Sequence, residues 1–247
     1  MYAGVMKDKN SASRLVLQNV SHSYGTVAVL KNLNLVVNHG EVVVLVGPSG
    51  CGKTTILNLL SGYISSAEGT VERQGIIRTV YQQDGLFPWL TVAENIMIGL
   101  QSVPSAVQRE KELRELIELI HLEGFENHYP HQLSGGMRQR VELARVLSGD
   151  SDILLMDEPF SALDYQTRLR MRRELVRLLE QRPKTVVFVT HDIEEAAQLA
   201  DRVLVLSNRP ATINRELLIN EPKPRDLTSN GVVEAMKTIL QELGLQV

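Results

Sequence analysis

Residues 47–55, GPSGCGKTT, combine three glycines with a lysine and two threonines directly after the apolar run EVVVLV. The segment fits the spacing G-x-x-x-x-G-K-[ST] and precedes the helical pattern TTILNLL, which is the strand–loop–helix context that makes this spacing meaningful. Glycines let the backbone curl until several N–H groups point inward, and the start of a helix adds a positive dipole, so an anion is favoured there. The sequence therefore predicts a phosphate-binding loop, made of Gly47, Pro48, Ser49, Gly50, Cys51, Gly52, Lys53, Thr54 and Thr55.

Specific roles can be assigned to side chains of this loop and to two acids farther along the chain. In such a loop we expect Lys53 to reach the terminal phosphates and the Thr54 hydroxyl to hold Mg²⁺. The apolar run ILLMDEP at residues 153–159 ends in Asp157, a candidate for the Mg²⁺ hydration shell, and in Glu158, a candidate general base for an attacking water. Alone, this run would indicate only a strand that ends in solvated acids, but the phosphate loop favours the functional interpretation.

A second candidate anion site is the segment LSGGMRQR at residues 133–140. Ser134 is a good N-cap, and Gly135 and Gly136 leave backbone N–H groups open at the start of a helix. Taken by itself, Ser-Gly-Gly indicates no more than a turn followed by a helix.

The elements that must position these residues alternate between strand and helix. Apolar, β-branched runs typical of strands covered on both faces occur at 14–20, 41–47, 76–82, 152–159, 184–192 and 201–207. Helical patterns occur at 53–63, 107–122, 135–147, 167–182 and 192–200. This alternation predicts an α/β domain with a mostly parallel sheet. We expect one domain, with a core over about 14–85 and 148–225, an inserted helical subdomain over about 86–147 and a C-terminal helix within 226–247.

Composition excludes several classes of protein. The chain has 247 residues, 43% of them hydrophobic, and a net charge of −3, which gives no general electrostatic reason to bind nucleic acid. The one cysteine rules out an internal disulfide and fits a reducing compartment. No export signal is evident, and no uncharged apolar run approaches the length of a membrane span, so we expect neither export nor insertion. Of the six histidines, the five other than His191 form no convincing zinc pattern.

Taken together, the motifs resemble those of the ATP-binding subunits of ABC transporters, in the order typical of that family and over nearly the whole chain. Tyr24 is similar to the aromatic residue that stacks on adenine, Gln82 to the Q-loop glutamine and His191 to the switch histidine. GPSGCGKTT resembles the Walker A loop, LSGGM the signature, ILLMDEP the Walker B strand, and SALD, ending at Asp164, the D-loop. Met137 stands where the family pattern has glutamine, which weakens any expectation of a side-chain contact there.

The resemblance implies ATP and Mg²⁺ as ligands, with Thr54, Gln82 and Asp157 near the metal and Lys53, Gln82, Glu158 and His191 at the reacting phosphate. It also implies an antiparallel β subdomain beside the nucleotide-binding core. Two chains would enclose ATP between them, so that Ser134, Gly135 and Gly136 serve the nucleotide of the opposite subunit. The second ATPase chain could be identical or related.

The segment DGLFPW follows the predicted Q-loop and contains the only tryptophan of the chain. In family members this junction lies under the membrane subunits, so Leu86, Phe87 and Trp89 are expected to form an exposed docking surface for two permease subunits. The alternative is that Trp89 packs the helical subdomain against the core.

This segment and SNRPATI near residue 210 most resemble importer ATPases for nitrate, sulfonates, taurine and bicarbonate, which act with a separate solute-binding protein.

This interpretation places the chain peripherally on the cytoplasmic side of the cell membrane. The alternatives are an ABC ATPase of another transporter, including an exporter, or an ABC ATPase without a transport role. A GTPase or nucleotide kinase is disfavoured because no N-K-x-D motif is present and LSGGMRQR would be left unexplained.

Overall fold

The computed structural model describes residues 13–81 and 85–245. Its strands are β1 (Ser13–Tyr24), β2 (Val27–Asn38), β3 (Val42–Val46), β4 (Glu68–Arg73), β5 (Ile77–Val80), β6 (Ile153–Asp157), β7 (Thr185–Val189), β8 (Arg202–Leu206) and β9 (Ile213–Leu218). Its helices are α1 (Lys53–Ser61), α2 (Val92–Gly99), α3 (Ala106–Leu119), α4 (Gly135–Leu147), α5 (Tyr165–Gln181), α6 (Ile193–Leu199) and α7 (Asn230–Glu242), with a 3₁₀ turn at Pro130–Gln132.

The main sheet has six strands in the order β5-β6-β7-β3-β8-β9. Every neighbouring pair is parallel except β8 with β9, which is antiparallel. The central strands β3, β6 and β7 are buried at every position, as expected for strands covered on both faces. The prediction of an α/β fold with a mostly parallel sheet is confirmed.

A separate antiparallel sheet, in the order β2-β1-β4, accounts for the antiparallel β subdomain that the family resemblance implied. The apolar run at 14–20 was interpreted as part of the parallel sheet, and this was wrong, because β1 pairs antiparallel with both neighbours. Strands β2, β4 and β9 were not predicted, since polar residues interrupt them. The burial pattern of β2 explains this, because exposed and buried positions mix along the strand.

The two faces of the main sheet contribute to two separate hydrophobic cores because side chains alternate along a strand. Val44 and Met156 belong to a core shared with the helices of 92–147 and with α7. Leu45 and Leu155 belong to a core shared with α1 and the antiparallel sheet. The phosphate loop therefore leaves β3 between two packed layers.

Helices α2, α3 and α4 lie between β5 and β6 in the chain. The short helix α2 was not predicted, although Thr91 and Glu94 form a capping box at its start. Among the described residues, no helix is both long and apolar enough to cross a bilayer.

Candidate functional site

The phosphate loop connects the buried strand β3 to helix α1 in a conformation that depends on glycine. Gly50 and Gly52 have φ angles of +71° and +125°, values that side chains other than glycine rarely adopt. A Cβ atom on Gly52 would also come within 2.8 Å of Cγ1 of Val29. Gly52 caps α1 without a side-chain hydrogen bond, so the first N–H groups of the helix remain available to an anion.

Lys53 is buried beneath this loop. Its Nζ donates hydrogen bonds to the carbonyl oxygens of Gly47, at 2.8 Å, and Pro48, at 3.0 Å. The ammonium is therefore held against the loop that the sequence predicted to bind phosphate, where a ligand oxygen could exchange for a carbonyl.

Asp157 ends strand β6 and faces the phosphate loop. Burial raises the pKa of its carboxyl group, and a hydrogen bond with Thr54 and the charge of Lys53 act in the opposite direction. A buried carboxylate beside a threonine hydroxyl suits Mg²⁺, which takes one or two carboxylates and completes its shell with waters and phosphate oxygens. The residues present thus fit the predicted Mg²⁺. Within the described ranges, no cluster of three or more His, Cys, Asp or Glu side chains could hold a metal ion elsewhere.

Glu158 and His191 meet at the ends of the neighbouring strands β6 and β7. Nδ1 of His191 lies 3.1 Å from Oε1 of Glu158. The backbone N–H of Glu158 donates to the carbonyl oxygen of Val189 at 2.9 Å, and Glu158 has a φ of +49°. A left-handed conformation in a residue other than glycine is strained by about 1–3 kcal/mol, and such strain concentrates at functional sites.

Gln139 is a site residue that the sequence analysis missed. It is buried, its Nε2 donates to the carbonyl oxygen of Glu158 at 3.1 Å, and its Oε1 accepts from the N–H of Ala162 at 3.0 Å. These hydrogen bonds connect helix α4 to Glu158, at the end of β6, and to the loop that follows it. The signal in the sequence was an uncharged amide on the same helical face as Leu143 and Val146.

A cavity of about 310 Å³ lies at the phosphate loop and is lined by most of the residues described above. A larger cavity, of about 590 Å³, lies among α2, α3 and residues 123–127 but contains none of the predicted phosphate-site residues, so the smaller cavity is the candidate nucleotide site. The residues that line it are Tyr24, Val29, Ser49, Gly50, Gly52, Lys53, Thr54, Thr55, Asp157, Glu158, Val189 and Arg209. Tyr24 is half-exposed at this cavity, where its ring can stack on a base.

The signature segment lies outside this cavity. Oγ of Ser134 accepts a hydrogen bond from the N–H of Met137 at 3.2 Å, which caps α4, and both Ser134 and Gly135 are exposed. Asp164 caps α5 by accepting from the N–H of Thr167, and this hydrogen bonding lowers the pKa of its carboxyl group. The structure therefore does not bring the two predicted anion sites of one chain together.

The predicted docking residues divide into buried and exposed members. Leu86 is only 8% exposed and packs in the core that contains α2, so its place on the docking surface was wrong. Phe87 and Trp89 are exposed, with ring centroids 5.5 Å apart, and the guanidinium of Arg145 lies 5.6 Å from the Phe87 ring centroid. The predicted Q-loop residue, Gln82, lies outside the described residues.

Comparison with known proteins gives one consistent result. Residues 30–161 match the ABC transporter family. The chain is 41% identical over 228 residues to the aliphatic sulfonates import ATP-binding protein SsuB of Bacillus cereus, covering 88% of this chain and 89% of the relative. It is 47% identical over 199 residues to SsuB 2 of Pseudomonas syringae, covering 80% and 84%. It is 40% identical over 218 residues to the taurine import ATP-binding protein TauB of Pelagibacter ubique, covering 83% and 82%.

Solved structures of ABC transporter cassettes are also similar to this chain. A dimeric bacterial ABC transporter cassette superposes with a TM-score of 0.75 at 35% identity, over 84% of this chain and all of that one. A post-hydrolysis dimer of a cassette bound to ADP and phosphate superposes with a TM-score of 0.74, also at 35% identity and with the same coverage of both chains.

Proposed function

Because this chain belongs to the ABC transporter family of ATP-binding proteins, we propose that it is the ATPase subunit of an importer for a small anion. The observation that carries the import assignment is the identity of 40–47% to relatives named for sulfonate and taurine import. Taurine and alkanesulfonates are therefore the leading solutes, with nitrate and bicarbonate as the other candidates that the sequence suggested.

ATP would occupy the 310 Å³ cavity, with its adenine on the exposed ring of Tyr24 and its phosphates against the phosphate loop. Lys53 would exchange a loop carbonyl for an oxygen of the terminal phosphates. Thr54 and Asp157, with Gln82, would hold Mg²⁺, which neutralises charge on the β- and γ-phosphates.

Glu158 is the proposed general base. It would take a proton from a water whose oxygen attacks the γ-phosphorus, while the bond to the bridging oxygen breaks and ADP leaves. His191, at 3.1 Å from the carboxylate, would orient Glu158 and contact the γ-phosphate. The strained backbone of Glu158, fixed by hydrogen bonds from its N–H and to its carbonyl, supports a role in positioning the carboxylate.

A second ATPase chain would complete the site. Ser134, Gly135 and Gly136 do not line the cavity of their own chain, yet Ser134 and Gly135 are exposed with open helix N–H groups. We infer that they approach the nucleotide of the opposite subunit, as in an ATP-dependent dimer. Closure of such a dimer would couple hydrolysis to motion because the site is complete only when closed.

The exposed pair Phe87 and Trp89 is the proposed contact to the permease subunits. Both side chains expose apolar rings, and Arg145 steadies the Phe87 ring from the protein side. The exposure of Trp89, at 69%, supports docking over the alternative of core packing. The chain would then lie peripherally on the cytoplasmic side of the membrane and act indirectly with a solute-binding protein.

Solute uptake tests this proposal directly. Cells that lack this chain would be supplied with labelled taurine, an alkanesulfonate, nitrate or bicarbonate and rescued with the wild type or with Glu158→Gln. We expect uptake of one solute to be lost and to return only with the wild type. Normal uptake of all four solutes would contradict the import assignment, whereas rescue by Glu158→Gln would contradict the coupling of uptake to hydrolysis.

A further inference from the structure

Arg209 contributes a positive charge to the candidate nucleotide cavity, and none of the predicted nucleotide-binding motifs includes it. It lies in the loop between β8 and β9 and lines the cavity together with Tyr24 and the phosphate loop. A Cβ atom built on Gly50 would lie 3.5 Å from Nη2 of Arg209, so the guanidinium stands directly over this part of the phosphate loop.

The loop that carries Arg209 is anchored on both sides. The N–H of Thr212 donates to Oγ of Ser207 at 2.9 Å, and the N–H of Ser207 donates to the carbonyl oxygen of Thr212 at 3.0 Å. The buried residue Ala211 donates its N–H to the carbonyl oxygen of Val29, which also lines the cavity. These bonds fix the base of the loop beside the site. Arg209 itself is exposed, and its side chain borders the cavity.

Within the described part of the chain, the guanidinium of Arg209 has no hydrogen bond or ion pair. Other arginines of the same hairpin do have acidic partners. Arg202 pairs with Glu41 at 2.7 Å, and Arg215 lies 3.9 Å from Glu242. An unpaired guanidinium beside a loop of inward-facing N–H groups has the donor geometry and charge that phosphate oxygens favour.

We propose that Arg209 is a further nucleotide-binding residue, whose guanidinium contacts the α- or β-phosphate of the bound nucleotide. This inference rests on the proposed function, because it requires the nucleotide to occupy this cavity. The contact falls on the inner phosphates because Arg209 borders Gly50, whereas Glu158 and His191 are assigned to the γ-phosphate. ATP and ADP should therefore depend on Arg209 to the same extent.

Equilibrium binding of radiolabelled nucleotide tests this inference on the full chain. The variants are Arg209→Ala, Arg209→Lys and, as a matched control from the same hairpin, Arg215→Ala. ADP is measured on each directly, and ATP on each combined with Glu158→Gln so that it is not consumed. We expect Arg209→Ala to weaken both nucleotides about 10-fold, Arg209→Lys to weaken them less, and Arg215→Ala to have no effect. In hydrolysis, Arg209→Ala should raise KM with little change in kcat.

The outcomes separate this inference from the proposed function. If the wild type binds ADP and Arg209→Ala binds it equally well, the inference is overturned while the proposed function stands. A loss confined to ATP would overturn the assignment to the inner phosphates. Failure of the wild type to bind either nucleotide would overturn the proposed function and the inference together.

Discussion

Nδ1 of His191 lies 3.1 Å from Oε1 of Glu158, which joins the ends of two neighbouring parallel strands across the candidate site. Glu158 follows β6 with a left-handed backbone, and His191 stands two residues beyond β7. The contact with His191 orients the carboxylate of Glu158, whose backbone is itself held by hydrogen bonds at its N–H and its carbonyl oxygen. It links a proposed base to the residue proposed to sense the γ-phosphate.

Glu158→Gln should preserve ATP binding and slow hydrolysis by a factor on the order of 10²–10⁴, because the amide keeps the shape of the side chain but cannot accept the proton. Phosphate release measures turnover, and size-exclusion chromatography with ATP measures the persistent dimer we expect. Glu234→Gln, at an exposed position of α7, is the matched control and should behave as wild type. Normal turnover by Glu158→Gln would refute the assigned base.

Asp157→Asn should stabilise the nucleotide-free protein while abolishing Mg²⁺-dependent hydrolysis. Burial raises the pKa of Asp157, so the ionised carboxylate destabilises the folded state at neutral pH. Removing this charge should therefore raise the Tm of the nucleotide-free variant above that of the wild type at neutral pH.

The pH dependence of that difference provides the check. The folded-state pKa lies above the unfolded value, so the wild type is at a disadvantage only at pH values where the unfolded state is ionised. The difference in Tm should therefore vanish as the pH falls below the ordinary aspartate value of about 4. A difference that persists in acid, or a lower Tm for the variant at pH 7, would contradict this account.

Arg172→Met should destabilise the fold by about 3–5 kcal/mol, because it leaves the buried carboxylate of Glu195 without its arginine partner and leaves Asp192 with Arg168 alone. Arg172 is buried and lies 2.5 Å from Asp192 and 3.1 Å from Glu195. Burial tends to raise the pKa of Asp192, but Arg172 and other partners hold it below its usual range. Because Asp192 directly follows His191, kcat should fall as well.

Urea denaturation measures this effect, with Arg173→Met as the control. Arg173 is the next residue of α5 and is exposed, so its replacement should change the free energy of unfolding by less than about 0.5 kcal/mol. Equal unfolding free energies for the two variants would show that the buried ion pairs are dispensable.

Gly135→Ala and Gly136→Ala should separate dimer contacts from packing within the chain. A Cβ atom on Gly136 would come within 3.0 Å of the carbonyl oxygen of Ala162, so this variant should lose about 1 kcal/mol of stability. A Cβ atom on Gly135 meets only the end of the Arg138 side chain, at 3.9 Å. Gly135→Ala should therefore fold normally yet hydrolyse ATP at least about 10-fold more slowly, if this surface closes on a second nucleotide. Full activity of Gly135→Ala would argue against that closure.

Leu86→Ala and Trp89→Ala should have opposite effects. Leu86 is buried, so its truncation should cost about 2–4 kcal/mol of stability. Trp89 is exposed, so its truncation should leave the stability and ATPase activity of the isolated chain nearly unchanged but weaken copurification with the permease subunits. Equal stability losses would indicate that Trp89 packs against the core.

The chemical identity of the site could be predicted from short segments because each motif lies within one stretch of chain. The glycine spacing of 47–55, the acids at the end of 153–159 and the cap at Ser134 act through backbone geometry that neighbouring residues determine. The buried strands β3, β6 and β7 could be predicted for the same reason, since their apolar runs are continuous. Strands with mixed burial, such as β2, gave no comparable signal.

The sequence by itself determined the family, the phosphate loop and the residue types for nucleotide chemistry. Only the tertiary structure decided which residues meet. Strand order brings His191 to Glu158, helix packing brings Gln139 to the carbonyl oxygen of Glu158, and the β8–β9 loop brings Arg209 over Gly50. These partners are distant in sequence, and their contacts depend on the pairing and packing of whole elements. Packing of the helical subdomain likewise buries Leu86 and leaves Trp89 exposed. Both are apolar residues of one short segment, so the sequence alone did not distinguish the buried residue from the exposed one.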